Sequence, residues 1–463
     1  MPGLLDRQRT VAGPGFNRWL VPPAALAIHL CIGQAYAFSV FKLPLTKVLG
    51  ITGSLPTDWT QKELAWVFTL AIVFLGLSAA IFGKWLERVG PRKSGVVAAL
   101  CWGTGFLVSA LGVSLHNIWL LYLGYGVIGG CGLGLGYITP VSTLIKWFPD
   151  RRGLATGMAI MGFGGGAMIA SPLSQALMDH FTSGSSVGLI PTFIVMGALY
   201  AVAMLAGAFG FRVPPDGWKP AGWTAPASSA ALVTHGQVHV NTAVKTPQFY
   251  LVWAVLFLNV TAGIGILEQA APMIQEMFDG KVAAAAAAGF VGLLSLFNMG
   301  GRFFWASLSD RIGRKATYAI FFTLGPVLYF LIPVTGRMGN VPLFVGAAAL
   351  VITMYGGSFA TVPAYLADLF GSQFVGAIHG RLLTAWSAAG VAGPVLVNYI
   401  RQARIDAGVP KAEAYETTMH LMAGLLLVGL VCNLMVRPVA DRYFMSEEEL
   451  ARVRASIRGA AAH

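Results

Sequence analysis

A chain of 463 residues in which 56% are hydrophobic and only 11% charged, with a mean hydropathy of +0.69, is far more apolar than a soluble protein, where roughly a quarter of residues are charged. Those values exclude an ordinary soluble domain and describe a polytopic membrane protein. The net charge of +12 lies mostly in short segments between apolar runs, where it reports orientation in the bilayer rather than nucleic-acid binding.

Apolar runs of about 20 residues or more predict spans 1 to 6 near residues 19–42, 64–86, 94–114, 117–144, 154–178 and 189–211. The first run starts at Trp19 and passes Phe41 without a small-residue cleavage site, so it is expected to be a retained helix. Arg212 to Pro247, rich in Pro, Ala, Ser, Thr and His and lacking an apolar period, reads as a linker. Spans 7 to 12 follow near 249–275, 284–308, 316–335, 342–366, 377–400 and 415–436.

The expected fold is an all-α membrane protein of twelve transmembrane helices. It comprises a six-helix bundle over 1–212, a linker over 213–247, a second bundle over 248–437 and a tail over 438–463. With both termini on one side, 22 lysines and arginines fall on that side and eight on the other, which predicts cytoplasmic termini in the cell inner membrane. Cys31, Cys101, Cys131 and Cys432 sit in apolar runs without paired spacing, so neither a disulfide framework nor a zinc site is expected.

An internal repeat supports the division. GKWLERVGPRK after span 2 is echoed by WASLSDRIGRK after span 8, with Glu87 and Asp310 223 positions apart. WFPDRRGLATG is echoed by LFGSQFVGAIHG, which pairs Phe148 with Phe370 and Gly157 with Gly380 at offsets of 222 and 223. Parallel halves related by an axis along the membrane normal are a transporter design, with the substrate at mid-depth between them.

Within span 8, Arg302 interrupts an apolar run and lies about 12 Å from Asp310 along a helix rising ~1.5 Å per residue. A guanidinium at that depth costs roughly 2.5–3.5 kcal/mol on insertion scales, so it is expected to face a partner or a polar cavity. Its planar fork of donors matches a carboxylate, and it cannot shed its charge as a lysine can. The alternative is a packing arginine salt-bridged to a neighbouring helix. Tyr137, ending the glycine-rich face of span 4, together with Tyr36, Gln34, Tyr355 and Asn298, is expected to complete a polar ring, with Phe359, Trp386 and Tyr365 as aromatic surround. The chain has no nucleotide motif, metal-ligand cluster or nucleophile with a base, so no enzyme, cofactor or metal is expected.

The acidic-Arg-x-Gly-x-Arg-Lys loop, repeated in both halves, resembles the signature of the major facilitator superfamily. CIGQAYAFSVF in span 1, GLGLGY in span 4 and NMGGRFFWASLSDRIGR in span 8 resemble the oxalate:formate antiporters and the related monocarboxylate transporters. The resemblance implies that the loop residues Glu87, Arg88 and Arg92, with Asp310, Arg311 and Arg314, govern conformational gating, and that Tyr137 lines the substrate site. Two departures matter. Asn298 stands where animal monocarboxylate transporters have an aspartate, and Trp386 where oxalate:formate antiporters have a lysine. One fixed cation then suits a monoanion, and the proton must use another group. Lys42 lies two positions out of register with the helix-1 lysine of the animal transporters.

For the proton, Glu268 in span 7 is the acid deepest in an apolar run, with Asp279 and His29 as alternatives; His379 falls near a helix end. The expected function is secondary transport of a small monocarboxylate such as lactate, pyruvate or formate, with a proton or a counter-anion moving as well. Oxalate:formate-type antiport is the alternative, and a non-transporting carboxylate receptor signalling through the tail a remote one. Lipid is the expected surround; neither a protein partner nor nucleic acid is implied.

Overall fold

Local signals set the helix ends. Thr60 and Glu63 form a reciprocal capping box that starts the second long helix, and Gly90 ends it with a φ of 87° that only glycine adopts readily, followed at once by Pro91 in the first turn of the next helix. Gly313, 223 positions on, repeats that turn with a φ of 88°. The repeated loop is thus a repeated hairpin between helices.

This computed structural model describes residues 3–215, 217–222, 232–234, 236–278, 281, 282 and 284–459. Its helices are α1 (Val21–Ile32), α2 (Ser39–Leu45), α3 (Gln61–Val89), α4 (Pro91–Ser114), α5 (Ile118–Leu121), α6 (Gly130–Trp147), α7 (Arg152–Phe181) and α8 (Leu189–Gly210). They continue as α9 (Val240–Ala243), α10 (Pro247–Met277), α11 (Ala284–Ile312), α12 (Arg314–Arg337), α13 (Val341–Phe370), α14 (Val375–Leu382), α15 (Thr384–Asp406), α16 (Glu416–Met435) and α17 (Glu447–Gly459). Eleven helical stretches among the described residues are long and apolar enough to cross a membrane, and α11 occupies the predicted eighth span. Exposed Ile81, Val202 and Tyr399 are apolar or amphipathic side chains of the kind that face lipid.

Three of the predicted spans change their winding along their length. The first breaks from α1 into a tighter turn over Gly33–Ala37, where a side chain on Gly33 would strike the Phe163 carbonyl of α7. The fourth is wound as a π-helix over Tyr122–Gly129 between α5 and α6, and the eleventh is interrupted at Leu383 between α14 and α15. In the expected tail, α17 buries Leu450, and the Met445 amide donates to the Gln237 carbonyl of the expected linker.

The two halves meet through α7 against α11 and α13, and through α3 against α14 and α15. Glycine permits the first approach, because a Cβ on Gly157 would lie 3.0 Å from the Arg302 carbonyl oxygen. Thr156 donates across that interface to the Ala360 carbonyl (2.8 Å), and Ser387 donates to the Ile72 carbonyl on the other side (2.9 Å).

On the face that carries the termini, the repeated acids cross over. Asp310 accepts the Gly153 and Leu154 amides, both at 2.8 Å, at the start of α7 in the other half. Glu87 accepts the Gly376 amide at the start of α14 at 3.2 Å, while holding Ser142 (2.9 Å) and an ion pair with Lys146. Gly376 is 223 residues after Gly153, as Asp310 is after Glu87. Each half therefore places a carboxylate at the positive end of its partner's helix, where it complements the unpaired amides and the helix dipole.

Candidate substrate site

Arg302 is 0% exposed and lies where α11 crosses α7 and α13. Its Nε donates to Asn298 Oδ1, one turn back on the same helix, at 3.1 Å, and its Nη1 reaches the Ile160 carbonyl of α7 at 3.4 Å. Nη2 has no hydrogen-bond partner, and no acid among the described residues forms an ion pair with this guanidinium. The packing alternative, a salt bridge to a neighbouring helix, is therefore not what the described residues form. Neither does the guanidinium face open water: it is enclosed on every side.

What encloses it is aromatic. Phe163 and Phe359 place their ring centroids 5.5 and 5.2 Å from the guanidinium carbon, within cation–π range. Trp386 packs 4.5 Å from Phe359, 5.4 Å from Phe163 and 5.4 Å from Tyr137. Tyr36 stands edge-on to Phe163 at 5.0 Å, and its hydroxyl meets that of Tyr355 at 3.4 Å, joining the two halves. The Tyr36 and Tyr137 hydroxyls both lie close to the Arg302 guanidinium, without meeting it in hydrogen-bond geometry. Of the ring residues expected from sequence, Tyr36, Tyr137, Asn298, Tyr355, Phe359 and Trp386 are thus brought together.

Gln34 and Tyr365 point elsewhere. Gln34 accepts from Tyr125 at 3.0 Å inside the first half, and Tyr365 donates to Asn433 at 3.4 Å inside the second. Phe163 was not anticipated; its one sequence signal is a lone aromatic in the glycine run of span 5. Among the gating residues, Arg314 binds Asp310 (2.6 Å) and Asp368 (3.0 Å), and Arg152 of the other half binds the second oxygen of Asp368 (2.8 Å). Arg92 instead donates to the Leu4 carbonyl (2.9 Å), and Arg88 and Arg311 are exposed. Of the proton candidates, Asp279 and the Glu268 side chain lie outside the described residues. His29 is buried, with Nδ1 2.6 Å from the Ala159 carbonyl and Nε2 3.3 Å from the Tyr137 carbonyl.

Three further polar groups in this enclosure have no hydrogen-bond partner among the described residues: the Tyr137 hydroxyl, the Trp386 Nε1 and both ring nitrogens of His379. An unpaired donor buried at low dielectric costs about 1–3 kcal/mol, more beside a charge. Free donors gathered around one permanent cation, with aromatic walls, have the chemistry that a small anion requires. Two parallel halves of apolar helices closed over a polar compartment are the architecture of a membrane transporter.

The chain belongs to the Major Facilitator Superfamily, whose family model matches residues 24–394 and 301–459. It is 27% identical over 441 residues to the oxalate:formate antiporter of Oxalobacter formigenes, covering 94% of this chain and 96% of that protein. Human monocarboxylate transporter 11 is 26% identical over 433 residues, covering 90% and 83%. The apicoplast pyruvate carrier 1 of Toxoplasma gondii is 25% identical over 440 residues, covering 82% and 76%. The fold is that of the Escherichia coli fucose:proton symporter, at a TM-score of 0.62 and 15% identity over 89% of this chain and 99% of that one. The chain is thus a transporter embedded in a membrane by many helices, and not an enzyme.

Proposed function

We propose that the protein is a secondary transporter that carries a small monocarboxylate across the inner membrane by alternating access, with the carboxylate held by Arg302. The observation that carries this reading is the unpaired Nη2 of Arg302, buried among aromatic rings and beside two further free donors, Tyr137 and Trp386. A carboxylate supplies the acceptors those donors need and the charge the guanidinium needs. One fixed cation balances one negative charge, so lactate, pyruvate and formate fit better than a fixed dianion. Relatives named for pyruvate, formate and monocarboxylates support the class.

A thermal-shift panel of C1 to C6 acids on purified protein tests the substrate class: monocarboxylates should raise the melting temperature, and sugars or amines should not. Proteoliposomes then separate two couplings. Uptake driven by a pH gradient supports proton symport, whereas uptake that needs a trapped counter-anion supports exchange of the oxalate:formate kind.

The proton is assigned to Glu268, on α10, with His29 second. Both His29 nitrogens face carbonyl oxygens, and an imidazole satisfies two acceptors only when protonated. Glu268→Gln should weaken proton-driven accumulation severalfold while leaving counterflow nearly intact; equal loss of both would make Glu268 structural.

A further inference from the structure

His379 is the buried histidine that the mechanism above does not use. It is fully enclosed, and neither ring nitrogen has a hydrogen-bond partner among the described residues. Its ring centroid lies 5.9 Å from that of Tyr137, whose hydroxyl also lacks a hydrogen-bond partner among the described residues and lies close to the Arg302 guanidinium. Seven residues, about two helical turns, separate His379 from Trp386 along the interrupted eleventh span. Counted along the helices from the terminus face, the order is Glu87 with Asp310, then His379, then Tyr137 and Arg302. The ring is held there by backbone. A Cβ on Gly83 would lie 2.7 Å from the Ala377 Cα, and Gly380 packs against the Ala79 carbonyl.

The acids and bases on the elements packed around this ring have other partners or are exposed. On α3 and α6, Glu87 and Lys146 pair with each other, and Lys84 is exposed. On α13, Asp368 is engaged by Arg152 and Arg314, and Tyr365 by Asn433. Beside α9, His239 caps the Asn241 amide, and Arg381 of α14 itself donates to Val240 and Asn241. On α10, Glu276 pairs with Arg401, and the Glu268 side chain lies outside the described residues. The other buried histidine near Tyr137 is His29, whose ring centroid lies 5.3 Å from that of Tyr137 and whose nitrogens face the Ala159 and Tyr137 carbonyls.

We propose that His379 is a proton-dependent second anchor for anions in the Arg302 site. It stays neutral when a monocarboxylate occupies Arg302. It takes up a proton when a short α,ω-dicarboxylate enters, so that the second carboxylate is met by an imidazolium with two N–H donors. A second cation in this dry compartment is tolerated only with a second negative charge. Proton and second carboxylate therefore enter together, and a dianion plus a proton presents the same net charge as a monoanion. The inference rests on the reading of Arg302 as the carboxylate anchor.

The test is calorimetric titration of the purified full-length protein with lactate, malonate, succinate and glutarate above about pH 6.5, where both carboxylates of each diacid are largely ionised. Binding of at least one diacid should weaken about tenfold for each pH unit of increase, because one proton is bound with it. Repeating the titration in buffers of different ionisation enthalpy should show one more proton taken up per diacid than per lactate. In His379→Gln, which keeps a hydrogen-bonding side chain but cannot take the charge, the slope and the extra proton uptake should vanish; an unchanged melting temperature checks the fold. A slope that survives in His379→Gln, or no diacid binding at any pH while lactate binds, overturns the role of His379 alone. Failure of lactate and the other monocarboxylates to bind overturns the Arg302 reading itself.

Discussion

Arg302→Lys is expected to weaken monocarboxylate binding by about ten- to a hundredfold, and Arg302→Gln to abolish it. The lysine keeps the charge and keeps Phe163 and Phe359 as cation–π partners, so the loss isolates the geometry of the fork. The arginine Nε and Nη1 are steered by Asn298 and the Ile160 carbonyl, which leaves Nη2 directed at the site. A lysine ammonium is a single point and cannot meet both carboxylate oxygens from a held orientation. One lost charge-assisted hydrogen bond is worth about 1.5–3 kcal/mol, the basis of the stated range. Asn298→Ala, which removes the steering but not the charge, should fall between wild type and Arg302→Lys. Calorimetry on protein with an unchanged gel-filtration profile measures this. An affinity equal to wild type in Arg302→Lys would show that the guanidinium packs the helices and does not bind the substrate.

How much of this was readable in advance depended on whether a residue broke a pattern. Arg302 broke an apolar run, and Asn298 followed from helical spacing, four residues back on the same face. The crossed carboxylates followed in part from the repeat: the offset of 223 paired Glu87 with Asp310, although nothing in sequence said that each would reach the opposite half. Phe163, a lone aromatic in a glycine run, and His379, near a helix end, were visible in sequence, but not the direction in which either points. In a span apolar on all sides, the period that marks a buried face in a soluble helix is absent, so a phenylalanine toward the site and one toward lipid look alike. The same reason defeated Gln34, a polar residue in the right span that turned to Tyr125. The interruptions at Gly33 and Leu383 and the π-helix after Leu121 come from packing between helices, to which local propensity is blind.

Asp368→Asn is expected to open the terminus face. Asp368 offers one oxygen to Arg152 of the first half and the other to Arg314 of the second, and Arg314 also holds Asp310, which caps α7 through Gly153 and Leu154. Neutralising Asp368 leaves two arginines close together with one carboxylate between them, in side chains only 10–17% exposed. Breaking a buried pair in this way costs about 3 kcal/mol or more, which shifts the ratio of closed to open by roughly a hundredfold if the cost falls on the closed state alone. The closed state does bear it, because Arg152 and Asp368 belong to halves that separate when this face opens. Glu87→Gln should act in the same direction but more weakly, since it loses one pair with Lys146 and keeps an acceptor for Ser142 and the Gly376 amide. The measurement is the alkylation rate of a cysteine introduced at Thr156, fully buried in the closed interface, with Cys31, Cys101, Cys131 and Cys432 replaced by alanine. Labelling should accelerate by one to two orders of magnitude in Asp368→Asn, and exchange transport should slow because the closed state is visited less often. Labelling at the unaltered rate would mean that the glycine packing of α7 on α11, rather than these charges, holds the face shut.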